Sequence, residues 1–555
     1  MAAAVSPAPR EHDVEAQAPP VAKTSHFSVL LDQAGVDDEV LRHRYAGLGT
    51  LESPYLVDFL PNDRRNPMAF SQPFKWLITS LAAFSTLAVS FASSAYSGGV
   101  HEIMDDFDVS SEIVILGVSM FVLGFAIGPL LWAPLSELYG RQKLFFLTYM
   151  ALTAFNAAAA AAPSMPALVV LRFFAGAFGS SPLTNAGGVM ADIFTASERG
   201  IATSIFAMAP FLGPAIGPIA GGFLGEAEGW RWVEGLMAIF TGLLWILNSA
   251  ICPETYAPVL LRKRAAVLSA KTGRVYVSKL DANGPARSLA GQFRVALSRP
   301  WVLLFKEPIV FLTALYMAII YGTLYLCFAA FPIVFQQGKG WGPGVGGLAF
   351  TGIAVGMLFA TIGTIFDNKR YQRAEAEANG AAPPEARLPP ALVGSLLLPT
   401  GLFWFAWSNG PDVHWVVPII GSSLFAAGIV LVFLSLMNYL VDSYVIFAAS
   451  VLAANSVLRS LFGAVFPLFT TYMYQDLGIH WATSIPAFLA LACVPFPFLF
   501  YRHGAKIRMR CKYAAEASHV LEMMRSKHTQ MTEDEAVTEA DETEKSRRQS
   551  LSSVA

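Results

Sequence analysis

Two arginines stand inside otherwise apolar stretches: Arg172 in ALVVLRFFAGAFG and Arg459 in NSVLRSLFGAVFP. An arginine at hydrocarbon depth costs roughly 2.5–3.5 kcal/mol on insertion scales, so it persists where a carbonyl, an acid or a bound anion meets it. The chemistry available to such a group is ion or proton coupling and the binding of an anion. Arg172 lies early in its run, where its side chain can also snorkel to the interface. Asp192 closes the same run, ~30 Å farther along a helix, too far for a direct pair. It reads either as a boundary charge or as a proton site. Arg459 sits near the middle of its run, and Asp442 is the nearest acid before it in sequence. Tyr316, Tyr321, Tyr325 and Phe328 cluster in one apolar segment, Asn438 and Tyr439 close another, and Asn455 shares the segment of Arg459. Tyr316, Tyr321, Asn438, Asn455 and Arg459 are the candidate cavity residues. As a cavity lining they suit a largely apolar or aromatic substrate; as a stripe they are packing.

A second group of residues is conformational. In GPLLWAPLSELYGRQK (128–143), Glu137, Gly140 and Arg141 form a short charged turn between two apolar runs. Gly140 permits a positive φ. Glu137 and Arg141, four apart, are placed to pair with each other or with helix ends elsewhere. Contacts of this kind form in one conformational state and break in another, as a gate requires. Lys143 reads as a boundary charge. A related pattern, Gly363 to Asp367 and Arg370, recurs later in the chain. In GPAIGPIAGG, Gly213, Gly217 and Gly221 repeat every four residues, a flat face for close helix packing. Pro214 and Pro218 remove backbone donors and bend that helix, which is expected at the interface of two halves.

These residues are held by a series of membrane spans. The chain of 555 residues is 54% hydrophobic and 14% charged, with mean hydropathy +0.50, where a soluble domain carries about 25% charged residues. Apolar runs long enough to cross a bilayer, ~20 residues each, fall at 76–97, 113–135, 144–162, 167–191, 201–224 and 231–252, then at 308–335, 345–366, 389–408, 414–440, 445–474 and 481–501. The fold class is an all-α integral membrane protein of two six-helix bundles. Residues 1–74 are expected to be largely disordered, with 42–66 on the membrane surface. A basic loop, 253–307, joins the halves, and a polar tail, 503–555, follows the second half, 308–502. Bases concentrate in the turns around Arg141, Arg262 and Lys369 and in the opening of the tail, while the opposite loops carry Glu102, Asp105, Asp106 and Asp108. The positive-inside rule then places both termini in the cytosol. Parallel repeats put a substrate site near the midplane, between the halves.

The four cysteines show no metal spacing or disulfide framework. The chain carries no G-x-x-x-x-G-K-[ST] loop, so energy is expected from an ion gradient rather than ATP. No nucleophile–base constellation points to an enzyme, and nothing points to a cofactor or to nucleic acid. The tail motif Arg547-Arg548-Gln549-Ser550 is a potential phosphorylation site.

The hairpin PLSELYGRQ, Arg172-x-x-x-Gly176 and GPAIGPIAGG together resemble the motifs of the major facilitator superfamily, in its twelve-helix drug:proton antiporter group. SSPLTNAGGVMADIF, PETYAPVLLRKRA, NYLVDSYVIFAAS and RSLFGAVFPLF are similar to fungal members. The hairpin departs from the usual pattern with Ala133 for glycine and Glu137 for aspartate. Phe91-Ala-Ser-Ser-Ala-Tyr96 lacks the group's first-helix carboxylate. The resemblance implies that Arg172 assists proton coupling and that Asp192 matches an acid important in some relatives. It implies a monomeric plasma-membrane exporter working by alternating access on a small molecule, with protons and the bilayer as its other partners. A secreted metabolite or organic acid fits Arg459 better than a polyamine. A multidrug or antifungal exporter, a nutrient uniporter and a non-transporting sensor are the alternatives.

Overall fold

The computed structural model describes residues 26–61, 63–282, 289–378, 382–410, 412–520 and 523. The sequence expectations for residues 1–25 and for Arg547–Ser550 lie outside them.

Long apolar runs without a helix-period stripe become helices surrounded by other helices and lipid. In chain order these are α3 (Gln72–Ala95), α5 (Ser111–Tyr139), α6 (Arg141–Ala160), α7 (Met165–Ile193), α8 (Ala196–Glu228), α9 (Trp230–Ile251), α12 (Pro308–Phe331), α14 (Thr351–Glu377), α15 (Pro389–Trp407), α16 (Val416–Ser443), α17 (Ala448–Cys493) and α18 (Pro495–Arg510). The other α-helices are α1 (His26–Leu31), α2 (Asp38–Arg42), α4 (Val100–Phe107), α10 (Ala257–Thr272), α11 (Leu289–Lys306) and α13 (Pro343–Gly347), and strands β1 (Tyr55–Val57) and β2 (Tyr276–Ser278) and a few short 3-10 and π turns join them.

Among the described residues eleven helical segments are long and apolar enough to cross a membrane, the last being Val445–Arg510 with 66 residues. At ~1.5 Å per residue that segment would be ~100 Å long, several times a ~30 Å hydrocarbon core. Gly478, at φ 72° and ψ 165°, breaks it into two crossings, which restores the twelve expected. Ile239, Phe359 and Phe488 are exposed on the bundle exterior, as lipid-facing side chains are.

Within the amino half α5 packs on α7, α3 on α8 and α6 on α9; within the carboxyl half α12 packs on α17 and α15 on α16. The halves meet where α5 crosses α17 and where α8 crosses α13 and α14.

The expectation of a largely disordered 1–74 does not hold for residues 26–74. Strand β1 pairs in parallel with β2 of the middle loop, Tyr55 opposite Tyr276. Val40, Tyr45 and Val57 pack with Leu261, Ala265 and Leu268 of α10 in a small core. Arg264 is buried, pairs with Asp63 and donates through Nε to the Ala34 carbonyl at 2.9 Å. Burial also pushes the Tyr45 phenol up to about 12, and that hydroxyl donates to the Val40 carbonyl at 3.0 Å. The described residues of 42–66 therefore dock on the middle loop.

Candidate functional site

Arg172 is fully buried. The helix pair α5–α7 and the end of α3 wrap it in backbone oxygens. Its Nη1 donates to the Ala92 carbonyl at 2.9 Å, its Nη2 to that of Ser93 at 3.3 Å and its Nε to that of Gly117 at 3.4 Å. Its guanidinium lies over the rings of Phe121 at 4.4 Å and Tyr96 at 4.7 Å. The acid beside it is Glu234 of α9, 3.6 Å from Nη1 and 1% exposed.

Ser93 extends this cluster across the molecule. Its hydroxyl shares a 2.8 Å hydrogen bond with Tyr325 of α12. Tyr321 donates to Tyr325 at 3.4 Å, and its ring lies 4.8 Å from the guanidinium of Arg459. Phe433 of α16 covers the same guanidinium at 5.1 Å and meets Phe211 of α8 at 4.9 Å. Arg459 is half-buried, its Nε is buried without a hydrogen-bond partner, and it makes no ion pair with any described residue.

At the basic end of the amino half a second cluster forms. Gly140 has φ 95°, and a Cβ there would lie 2.0 Å from Glu254 Oε2. The Glu254 carboxylate instead accepts the backbone N–H of Arg141 at 2.8 Å and that of Tyr256 at 3.0 Å. Arg141 pairs with Asp192 at 3.3 Å, donates to Ser136 at 2.5 Å and to Asn185 at 3.3 Å, and covers the Tyr256 ring at 4.9 Å.

The Major Facilitator Superfamily model matches residues 82–467. The MFS-type efflux pump MFS2 of Trichophyton rubrum is 60% identical over 519 residues, 93% of this chain and 87% of that protein. The major facilitator superfamily multidrug transporter mdrA of Aspergillus fumigatus is 60% identical over 514 residues, 93% of this chain and 85% of that one. The solved xylose transporter XylE from E. coli shares the fold with TM-score 0.56 at 16% identity, covering 77% of this chain and 99% of its own. The chain belongs to the Major Facilitator Superfamily. It is a multi-pass membrane transporter and not an enzyme.

Several candidate residues of this facilitator lie elsewhere than expected. Asp192 is separated from Arg172 by the length of α7, as the spacing predicts, and its partner at the basic end is Arg141. Glu137 is exposed and makes no ion pair with a described residue; Arg141 turns to Asp192 and away from it. Asp442 does not reach Arg459: it binds Arg387 at 2.9 Å and accepts from Tyr371 at 3.3 Å, at the basic end of α16. Asn438 is exposed and outside the central cluster. Tyr316 and Asn455 are buried in the carboxyl half, where Asn455 contacts the Met317 sulfur at 3.5 Å. Asp367 pairs locally with Arg370 at 2.7 Å.

The glycine face of α8 packs mainly inside its own half. A Cβ at Gly213, Gly217 or Gly221 would strike Ser90, Ser94 or the Ala95 carbonyl of α3, the closest at 2.0 Å. The other half is met by the opposite side of this helix. The Pro218 carbonyl lies 2.6 Å from where a Gly347 Cβ would stand, and the Pro343 carbonyl 2.6 Å from that of Gly222. Pro214 and Pro218 sit inside a helix that stays continuous from Ala196 to Glu228.

The halves touch at their acidic ends, where Glu226 accepts the Gly344 N–H at 2.8 Å and His101 meets Gln336 at 3.2 Å. Between them is a cavity of about 680 Å³ lined by Ser97, His101, Glu112, Phe328 and Tyr474 among others. Toward the basic end, a Cβ at Gly187 of α7 would meet open space.

Residues that sequence reasoning passed over are Glu234, Ser93, Asn185 and Glu254. Glu234 was legible as an acid inside an apolar run, the same signal that picked out Arg172.

Proposed function

We propose that this facilitator exports a small organic anion or neutral metabolite across the plasma membrane, driven by inward proton movement. Both termini face the cytosol, and the working unit is the monomer. The observation that carries the reading is Arg459: a half-buried cation at mid-span depth, held between two aromatic rings, with a free Nε and no acid among the described residues. A carboxylate on a flat apolar or aromatic body satisfies that site, whereas a polyamine meets a like charge. The export direction is supported by relatives named as efflux pumps and multidrug transporters.

Proton coupling is supported by the buried Arg172–Glu234 pair and its hydrogen-bonded route to Tyr325 in the other half. The Arg141–Asp192–Glu254 cluster fastens the turn between α5 and α6 to the end of α7 and the start of the middle loop. In this reading it opens and closes with the cycle, with Gly140 and the face of α8 as its hinge and bearing.

The test is to profile metabolites in the culture medium of a deletion strain and of the same strain re-expressing the protein, with and without a protonophore. Retention of specific organic acids in the deletant, and loss of their export under protonophore, supports the proposal. An unchanged medium and unchanged drug tolerance in the deletant overturns it. A broader multidrug range is the second reading, favoured by the aromatic surroundings of Arg459 and by the 60% identity to mdrA.

A further inference from the structure

The first helix has no carboxylate, and Asp192 is engaged by Arg141 at 3.3 Å and by the Thr255 hydroxyl at 3.3 Å. Glu234 differs from Asp192 in every respect that matters to a proton carrier. It is 1% exposed, and neither of its oxygens has a hydrogen-bond partner. Its interaction with Arg172, at 3.6 Å, is an ion pair without a directed hydrogen bond.

Arg172 does not depend on this acid for its position. Three of its five N–H groups are taken by backbone carbonyls and its faces by two rings. A cation so cradled stays placed when the acid beside it becomes neutral, because carbonyl dipoles and ring faces each stabilise positive charge. The charged and the neutral acid are therefore both supported, which a fixed, multiply bonded salt bridge does not allow. The surroundings set few competing charges. Arg172 from α7 and Tyr96 from the turn after α3 act on Glu234 directly. One turn farther out, Glu102 and Asp106 of α4 stand at the start of α9, where Asp106 pairs with Arg231.

From these observations we infer that Glu234 is the group that carries the coupled proton, and that the Ser93–Tyr325 hydrogen bond passes its state to the carboxyl half. This rests on the proton-coupled reading above. A proton from water on the acidic side adds to a carboxylate oxygen of Glu234, giving the neutral acid, and is later returned to water on the basic side. Glu234 lies one turn inside the acidic end of α9. Ser97 and Gly98, beside Tyr96, line the acidic-end cavity. When the acid is neutral the guanidinium is drawn more strongly to the carbonyls of Ala92 and Ser93. Ser93 is the residue whose hydroxyl holds Tyr325, next to Tyr321 and Arg459. Charge at the proton site thus biases a contact that reaches Arg459, the proposed substrate-binding cation, through one chain of neighbours.

The test is pH-jump infrared difference spectroscopy on the purified full-length protein. Wild type should show the C=O stretch of a carboxyl gaining a proton. Glu234→Gln should lose that band, Glu234→Asp should retain it at a shifted frequency, and Asp192→Asn should leave it unchanged. The Asp variant keeps the test decisive should the Gln variant fail to fold. A band that survives Glu234→Gln, or that disappears in Asp192→Asn, overturns the assignment. Metabolite release from intact cells under a protonophore separates the two failures. A Glu234 band with release indifferent to the protonophore means that the site binds protons but the transport reading is wrong. Release that needs the proton gradient, with no Glu234 band, means that the carrier is another group.

Discussion

The two intramembrane arginines are handled in opposite ways. Arg172 of the amino half has an acid, three carbonyls and two rings. Arg459 of the carboxyl half has two rings and a free Nε. The first cation is held by the protein's own groups, and the second keeps an unpartnered nitrogen, which is why the proposed substrate contact is placed on it. The basic ends repeat the contrast. The amino half gathers Arg141, Asp192 and Glu254 in one cluster. The carboxyl half splits the same task between an exposed Asp367–Arg370 pair and Arg387–Asp442, with Arg387 over the Tyr371 ring. Asp442 closes α16 as Asp192 closes α7, so the counterpart of the amino cluster is Arg387–Asp442.

The largest effect should come from Arg172→Ala. It removes the cation paired with the buried Glu234 and the donors that reach the carbonyls of Ala92, Ser93 and Gly117. A loss of about 3–5 kcal/mol is expected for removing one partner of a buried pair, seen as collapse of the folded peak in size-exclusion chromatography. Gly140→Ala should come next. The positive φ and the 2.0 Å approach to Glu254 add strain of about 1–3 kcal/mol, read as a lower melting temperature. Arg141→Ala should slow export several-fold with little change in the range of exported compounds. A changed range at an unchanged rate would mean that this cluster helps to select the substrate. Tyr325→Phe removes one hydrogen bond across the halves. About 1 kcal/mol is expected from the bond itself, with weakened proton dependence of export as the sharper readout. Asp367→Asn should be nearly silent, since an exposed pair contributes about 0.2–1 kcal/mol.

The spans were legible because each needs a continuous apolar run, a property that belongs to single segments. The arginines were legible for the converse reason, as charges where none should be. Their partners were not. Arg141 and Asp192 are 51 residues apart in sequence, and Arg264 and Asp63 are 201 apart, so only packing brings them together. Proximity in sequence favoured Glu137 for Arg141 and Asp442 for Arg459, and both pairings gave way to helix ends that the fold places nearer. Glu234 hid in plain view, one turn inside a span where an acid passes for a boundary charge. The folding of the described residues between 26 and 74 was hidden because its small core draws half its side chains from α10, beyond the whole amino bundle.

The most direct measurement compares culture-medium metabolite profiles from strains expressing wild type, Arg459→Ala and no protein, with equal amounts of tagged protein at the plasma membrane. If Arg459 holds the substrate, the variant retains the same anionic compounds inside the cell as the strain without the protein. A variant that exports those compounds at the wild-type rate would contradict it.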